Sequence, residues 1–213
     1  MIIDHRTVGP FQENAYLVTD PVSLDAVLID PGDEPETLVA MVRARGAMLR
    51  AIWLTHAHLD HIGGIAGVKR LYDVPVLMHP LDQPLYENGN AQAAGYGVPF
   101  EQPGPVDGPL AEGDRVSVGA LTFEVWHLPG HAPGHVAFLH DGVVLGGDLL
   151  FAGSIGRTDF PGCDAAAMVR SLARLAALPS ETVVYPGHGA PTTIGEENRS
   201  NPFLTGVARI PRR

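Results

Sequence analysis

The stretch Thr55 to Gly64, THAHLDHIGG, carries His56, His58, Asp60 and His61 within six positions, directly after the apolar run AIWL. No ordinary packing pattern needs four such groups at this spacing. Neutral imidazole nitrogen and carboxylate oxygen are borderline ligands that suit Zn first, with Fe and Mn also accommodated. On a turn from strand to helix, alternating side chains can point to two neighbouring metal positions.

Three later segments share one design, an apolar run ending in a glycine-rich turn that carries a further ligand type: WHLPGHAPGH with His131, VVLGGDLLF with Asp148, and VVYPGHG with His188. Glycines beside each ligand permit positive φ and close approach, which a crowded site of two metals requires. His135, four residues after His131, is expected to orient that turn rather than to ligate. His5, His79, His127 and His140 have no motif around them, and Cys163 reads as an inert or partly exposed thiol.

The elements that would position these groups follow from periodicity. Short apolar runs at 2–4, 14–20, 25–32 and 51–56 read as strands, and EPETLVAMVRARG between the last two reads as an amphipathic helix stopped by Gly46. A second helix is expected from Ile62 to Leu71, and residues 81–108 read as a surface excursion, a lid or rim. Strands resume with DRVSVG, LTFEVWHL, HVAFLHD and VVLGGDLLF. A helix near 164–177 then precedes the last strand, TVVYPGHG. Two sets of strands, each with helices, predict an α/β fold, a four-layer αββα sandwich, with residues 1–213 as a single domain.

The composition bounds the partners. With 213 residues, 45% hydrophobic, the chain can bury a full core, and its formal net charge of −10 repels polyanions such as nucleic acid and anionic membrane. A small molecule is the expected partner. One cysteine excludes an intramolecular disulfide and a cysteine-based zinc cluster. With no export leader or long apolar stretch, the expected location is cytoplasmic.

THAHLDH resembles the HxHxDH signature of the metallo-beta-lactamase superfamily, and His131, Asp148 and His188 stand where its downstream ligands stand. PGHAPGH, GGDLLFAGSIGRTDFPG, YPGHG and the terminal NRSNPFL are similar to the glyoxalase II (hydroxyacylglutathione hydrolase) group, in its short bacterial form. The resemblance implies two divalent metals per chain, the first held by His56, His58 and His131, the second by Asp60, His61 and His188, with Asp148 bridging. It implies hydrolysis of a 2-hydroxyacyl thioester such as S-lactoylglutathione by a metal-bridging hydroxide, with Asp60 and Asp148 as the catalytic carboxylates.

In that group a basic residue matching Arg157 binds the glutathione part and an aromatic residue lies two positions later, where this chain has Asp159. For Arg157 and Asp159 the residues themselves leave two roles open, an ion pair that stabilises a loop and direct substrate contact. The longer enzymes also carry a C-terminal helical segment that grips glutathione. Here Arg199, Arg209, Arg212 and Arg213 are the cations near the end of the chain. Two other reactions fit the same ligands: hydrolysis of another ester or thioester, and persulfide dioxygenation at a single iron, a related branch that retains the second-site residues.

Overall fold

All seven residues of ENAYLVT, Glu13–Thr19, are buried, which a strand achieves only when both of its faces are covered. The computed structural model shows what covers them and describes residues 1–210; Arg212 and Arg213 lie outside the described residues. The first sheet runs in the order β1 (Ile2–Val8), β2 (Glu13–Thr19), β3 (Asp25–Ile29), β4 (Met48–Trp53), β5 (Val76–Met78) and β6 (Gly108–Pro109). The second contains β7 (Arg115–Val118), β8 (Leu121–His127), β9 (Val136–His140) and β10 (Val143–Gly147). The short pair β11 (Leu150–Phe151) and β12 (Ser154–Ile155) stands apart, after which β13 (Val183–Pro186) and β14 (Thr192–Thr193) complete the second sheet.

Side chains alternate between layers with the period of two that a strand imposes. Ala15, Leu17, Ala26 and Leu28 point outward onto α1 (Pro35–Arg45), while Tyr16, Val18, Val27 and Ile29 point inward. There they meet Phe123, Val125, Val136 and Phe138 of the second sheet, with Trp53 packed edge-on against Phe123 at 5.6 Å. Ala137 and Val144 face the far side of the second sheet and pack on the helix at Ala165–Ala176. Three apolar interfaces therefore separate four layers, the expected αββα sandwich.

The helix expected from Ile62 to Leu71 is instead two short ones, α2 (Leu59–Ile62) and α3 (Ile65–Lys69). The break falls at Gly63–Gly64, where the backbone lies against residues 31–33: Gly64 N–H donates to Pro31 O at 2.8 Å, and a Cβ on Gly63 would stand 2.5 Å from Gly32 O. Residues 81–108 also differ from the expected excursion. They form a 3₁₀ turn at Pro80–Asp82, then α4 (Gln83–Glu87) and α5 (Gly89–Tyr96). Tyr86 is buried in the outer core, and its hydroxyl donates to Gly104 O at 2.8 Å. The remaining helices are α6 (Ala165–Ala176), N-capped by Asp164, and α7 (Ile194–Ser200). Among the described residues no helix is long and apolar enough to cross a membrane.

The topology also fixes where the ligand segments emerge. Strands β8, β10 and β13 run in one direction, since β9 is antiparallel to both β8 and β10, and β10 and β13 are parallel. Their C-terminal ends lie on one edge of the second sheet, as does the start of each turn carrying His131, Asp148 and His188. Strand β4 stops at Trp53 rather than continuing to His56. Thr55 leaves the first sheet, its N–H donating to Asp30 Oδ1 at 2.7 Å and its carbonyl accepting from Val136 N–H of the second sheet at 2.7 Å.

Phe138 fills the space between the sheets and packs 5.2 Å from Trp53. Phe138→Ala should lower stability by about 3–5 kcal/mol, read as the shift in a urea unfolding midpoint at unchanged slope. A loss below about 1 kcal/mol would contradict this packing.

Candidate metal centre

The seven sequence-predicted residues converge. One nitrogen from each of His56, His58 and His131 lies within 4.8 Å of the others, and the same holds for ligand atoms of Asp60, His61 and His188. His58 Nδ1 and His131 Nε2 approach to 2.8 Å, both aimed at one point. Asp148 stands between the groups: its Oδ2 is 3.6 Å from His131 Nε2 and 3.4 Å from His188 Nε2, and its Oδ1 is 3.4 Å from His61 Nε2. Asp60 Oδ2 lies 3.2 Å from His188 Nε2.

A second ring of contacts turns the imidazoles. Thr55 Oγ1 donates to Asp30 Oδ2 and accepts from His56 Nδ1 at 3.1 Å, which leaves the lone pair on His56 Nε2. His61 Nδ1 donates to Asp30 Oδ2 at 3.0 Å, and His131 Nδ1 donates to Arg157 O at 2.8 Å. His56 Nε2, His61 Nε2 and Asp148 Oδ1 are buried with no hydrogen-bond partner. Buried polar atoms left unpaired cost about 1–3 kcal/mol each, so three together, aimed at the same small volume, fit a cation. Asp30 also falls within reach of His56 and His61, but its oxygens are taken by Thr55 and by His61 Nδ1, so it orients these ligands.

A family model described as the metallo-beta-lactamase superfamily matches residues 8–188. The chain belongs to that superfamily. It is 38% identical over 214 residues to the hydroxyacylglutathione hydrolase GloC of Haemophilus influenzae, covering 96% of this chain and 98% of the relative. It is 52% identical to the crystal structure of TTHA1623 in a di-iron-bound form, with a TM-score of 0.88 and coverage of 94% of this chain and 100% of that one. The crystal structure of ETHE1 from Myxococcus xanthus is 30% identical, with a TM-score of 0.81, covering 97% of this chain and 85% of that one. The metallo-beta-lactamase fold and a metallo-hydrolase function are thereby established for the chain.

The electrostatics divide this metallo-beta-lactamase centre in two. Burial, reinforced by neighbouring imidazoles, holds His56 well below the ordinary histidine range and His58 at about 3, and burial lowers His131 as well. All three are neutral at physiological pH, the form that ligates. Burial opposes the charge on His61 too, but Asp148, Asp60 and Asp30 outweigh it and hold its pKa well above the usual value. His188 is likewise raised, to about 9, because Asp148 and Asp60 overcome its burial. Asp148 and Asp60 are both lowered, with His61 the largest influence against their burial. Glu13, buried 3.9 Å from His61 with neither oxygen hydrogen-bonded, is raised well above its usual value, first by burial.

Positive φ occurs at Gly130, Gly147 and Gly189, one beside each of His131, Asp148 and His188. Gly147 is the tightest of them, since a Cβ there would collide with Thr55 Oγ1. His135 does orient a ligand segment: burial holds it neutral, at about 3, so its Nε2 accepts from Asp148 N–H at 3.0 Å. Cys163 Sγ donates to His131 O at 3.0 Å and is half-buried. His79 and His127 stack on each other at 4.1 Å, away from the centre.

A cavity of about 450 Å³ opens over the cluster. Its floor is His58, Asp60, His131, Asp148 and His188, and its walls include Phe11, Tyr96, Phe151, Phe160 and Arg157. Arg157 forms a two-point ion pair with Asp159, at 2.9 and 2.8 Å, and lies 4.1 Å over the Phe160 ring. Arg157 therefore braces its loop and also lines the cavity, whereas Asp159 is not among the lining residues.

Sequence reasoning missed Asp30, Asp82, Asn14 and Gln92. Asn14 Nδ2 donates to Pro186 O at 3.1 Å and Gly189 O at 2.8 Å, and Tyr16 OH donates to Pro186 O at 2.7 Å, pinning the His188 turn. For Asn14, Asp30 and Asp82 the one available signal was their place in strands or turns too buried for an unpaired polar side chain; Gln92, half-buried on α5, offered none.

Because His188 holds its proton up to about pH 9, a cation entering the Asp60, His61 and His188 group must displace protons at neutral pH. Affinity there should rise as pH climbs toward that value. At the His56, His58 and His131 group, whose imidazoles burial already holds neutral, it should change far less over the same range. Calorimetry in buffers of different ionisation enthalpy reads the protons released, and proton-free uptake of both cations would contradict the assignment.

Proposed function

We propose that this metallo-hydrolase cleaves a 2-hydroxyacyl thioester such as S-lactoylglutathione, giving the hydroxy acid and a free thiol. In this reading His56, His58 and His131 hold one divalent cation, Asp60, His61 and His188 hold a second, and Asp148 bridges them. The observation that carries it is the contact of Asp148 with nitrogens of both groups at 3.4–3.6 Å, on the floor of the cavity. The donor set suits zinc first, with iron and manganese also accommodated. The relative named hydroxyacylglutathione hydrolase supports the substrate class.

Two cations bound there supply acidified water near neutral pH and Lewis acidity toward the acyl carbonyl. The chain's own residues do the rest. Asp60, at the cavity floor, accepts a hydrogen bond from the attacking water and orients it. Phe11, Phe151 and Phe160 exclude bulk water and seat the acyl and methylene groups. Attack forms the carbon–oxygen bond and breaks the carbon–sulfur bond. The thiolate leaves with its electron pair and needs little proton assistance, because a thiol is far more acidic than an alcohol. Arg157, exposed at the rim beside Phe160, provides a guanidinium for a carboxylate of the thiol carrier.

The expected result is thiol release from S-lactoylglutathione without oxygen, by protein carrying two metals per chain. One iron per chain, no thiol release and oxygen uptake with glutathione persulfide would establish the dioxygenase instead. Asp148→Ala should lose metal and cut kcat at least about 10²-fold. Arg157→Ala should raise KM for the glutathione thioester on the order of 10-fold while sparing a small neutral thioester; equal effects on both would leave Arg157 only its bracing role.

A further inference from the structure

Asp82 is fully buried, and both oxygens of its carboxylate accept from backbone N–H groups of ligand-bearing loops. Oδ2 takes the N–H of Ala57, between His56 and His58, at 3.1 Å. Oδ1 takes the N–H of Gly134, three residues after His131. One side chain thus ties together the two loops that supply all three histidines of the first group. The fit is close, since a Cβ on Gly134 would come within 2.8 Å of Asp82 Oδ1.

Gln92 completes the hold from the next helix. Its Nε2 donates to Ala57 O at 3.2 Å and to Leu85 O at 2.8 Å, and its Oε1 accepts from Leu59 N–H at 3.1 Å. Ala57 is therefore gripped at its N–H by Asp82 and at its carbonyl by Gln92. Both residues belong to the segment whose Leu85, Asn88 and Tyr96 also wall the cavity. Both N–H donors of Gln92 are committed to the protein, and its Oε1 is already an acceptor for Leu59 N–H.

We infer that Asp82 and Gln92 are positioning residues for the first metal group, fixing how His56 and His58 face His131. The inference rests on the reading that those histidines hold a cation. The spacing they set is a close one, 2.8 Å between His58 Nδ1 and His131 Nε2, and losing a group that orients a metal's ligands weakens the site about 10–100-fold. Asp60 and His61 share the loop that Gln92 holds, but His61 has its own support in Asp30 and the His188 turn has Asn14 and Tyr16, so the effect falls chiefly on the first group.

The test is competition between the zinc-loaded protein and a chelator of known affinity, which resolves two release steps assigned by His131→Ala and His188→Ala. Asp82→Asn keeps the shape but aims an amide N–H₂ at one of the two backbone donors; Gln92→Leu removes all three of that side chain's bonds. Each should weaken the first group's step about 10–100-fold and leave the second within about 2-fold. Equal weakening of both steps, or no change in either, overturns the inference. Should Asp82→Asn fail to fold, Gln92→Leu carries the same test. A wild-type chain that takes up no zinc overturns the metal reading itself, an outcome distinct from wild-type uptake of two zinc ions with unaltered variants.

Discussion

Five imidazoles and two carboxylates face one another at the floor of one cavity, and most of what is distinctive in this chain answers that crowding. Burial drives His56, His58 and His131 to their neutral form, while the carboxylates around His61 and His188 keep those two charged. Such a cluster is poorly satisfied by hydrogen bonds alone: His56 Nε2, His61 Nε2 and Asp148 Oδ1 have none. A pair of divalent cations would satisfy these atoms and release the protons that the acidic half retains.

Holding the groups in place requires backbone from both sheets. The parallel run of β8, β10 and β13 delivers three turns to one edge, and the departure of Thr55 from the first sheet brings the fourth segment across to meet them. Each segment is then fixed by a buried polar side chain from elsewhere: Asp30 behind His61 and Thr55, Asp82 behind the His131 turn, His135 behind Asp148, Asn14 behind the His188 turn. These supports are costly to bury unpaired, and each is paired with a group on a ligand segment. Stability and site geometry are therefore drawn from the same bonds.

The layers and the ligand segments were legible in the sequence because strand alternation and the HxHxDH spacing are local signals. Three other features were not. The break between α2 and α3 arises from contact of Gly63–Gly64 with residues 31–33, a long-range approach that no local period announces. Residues 83–96 fold into helices because Tyr86 reaches the outer core and Gln92 reaches Ala57 and Leu59, while the sequence there is rich in Gly, Asn and Ala with no apolar stripe. Asp30 and Asp82 look in sequence like any aspartate of a turn; only the fold reveals that their oxygens are spent on the ligand loops.

Whether Asp148 stands between two cation positions can be read by anomalous X-ray scattering at the metal absorption edge, from crystals of the metal-loaded protein. Two peaks are expected, one within the His56, His58 and His131 group and one within the Asp60, His61 and His188 group, each beside an oxygen of Asp148. A single peak in fully loaded protein, or a peak supported by Asp30 in place of Asp148, would contradict that placement.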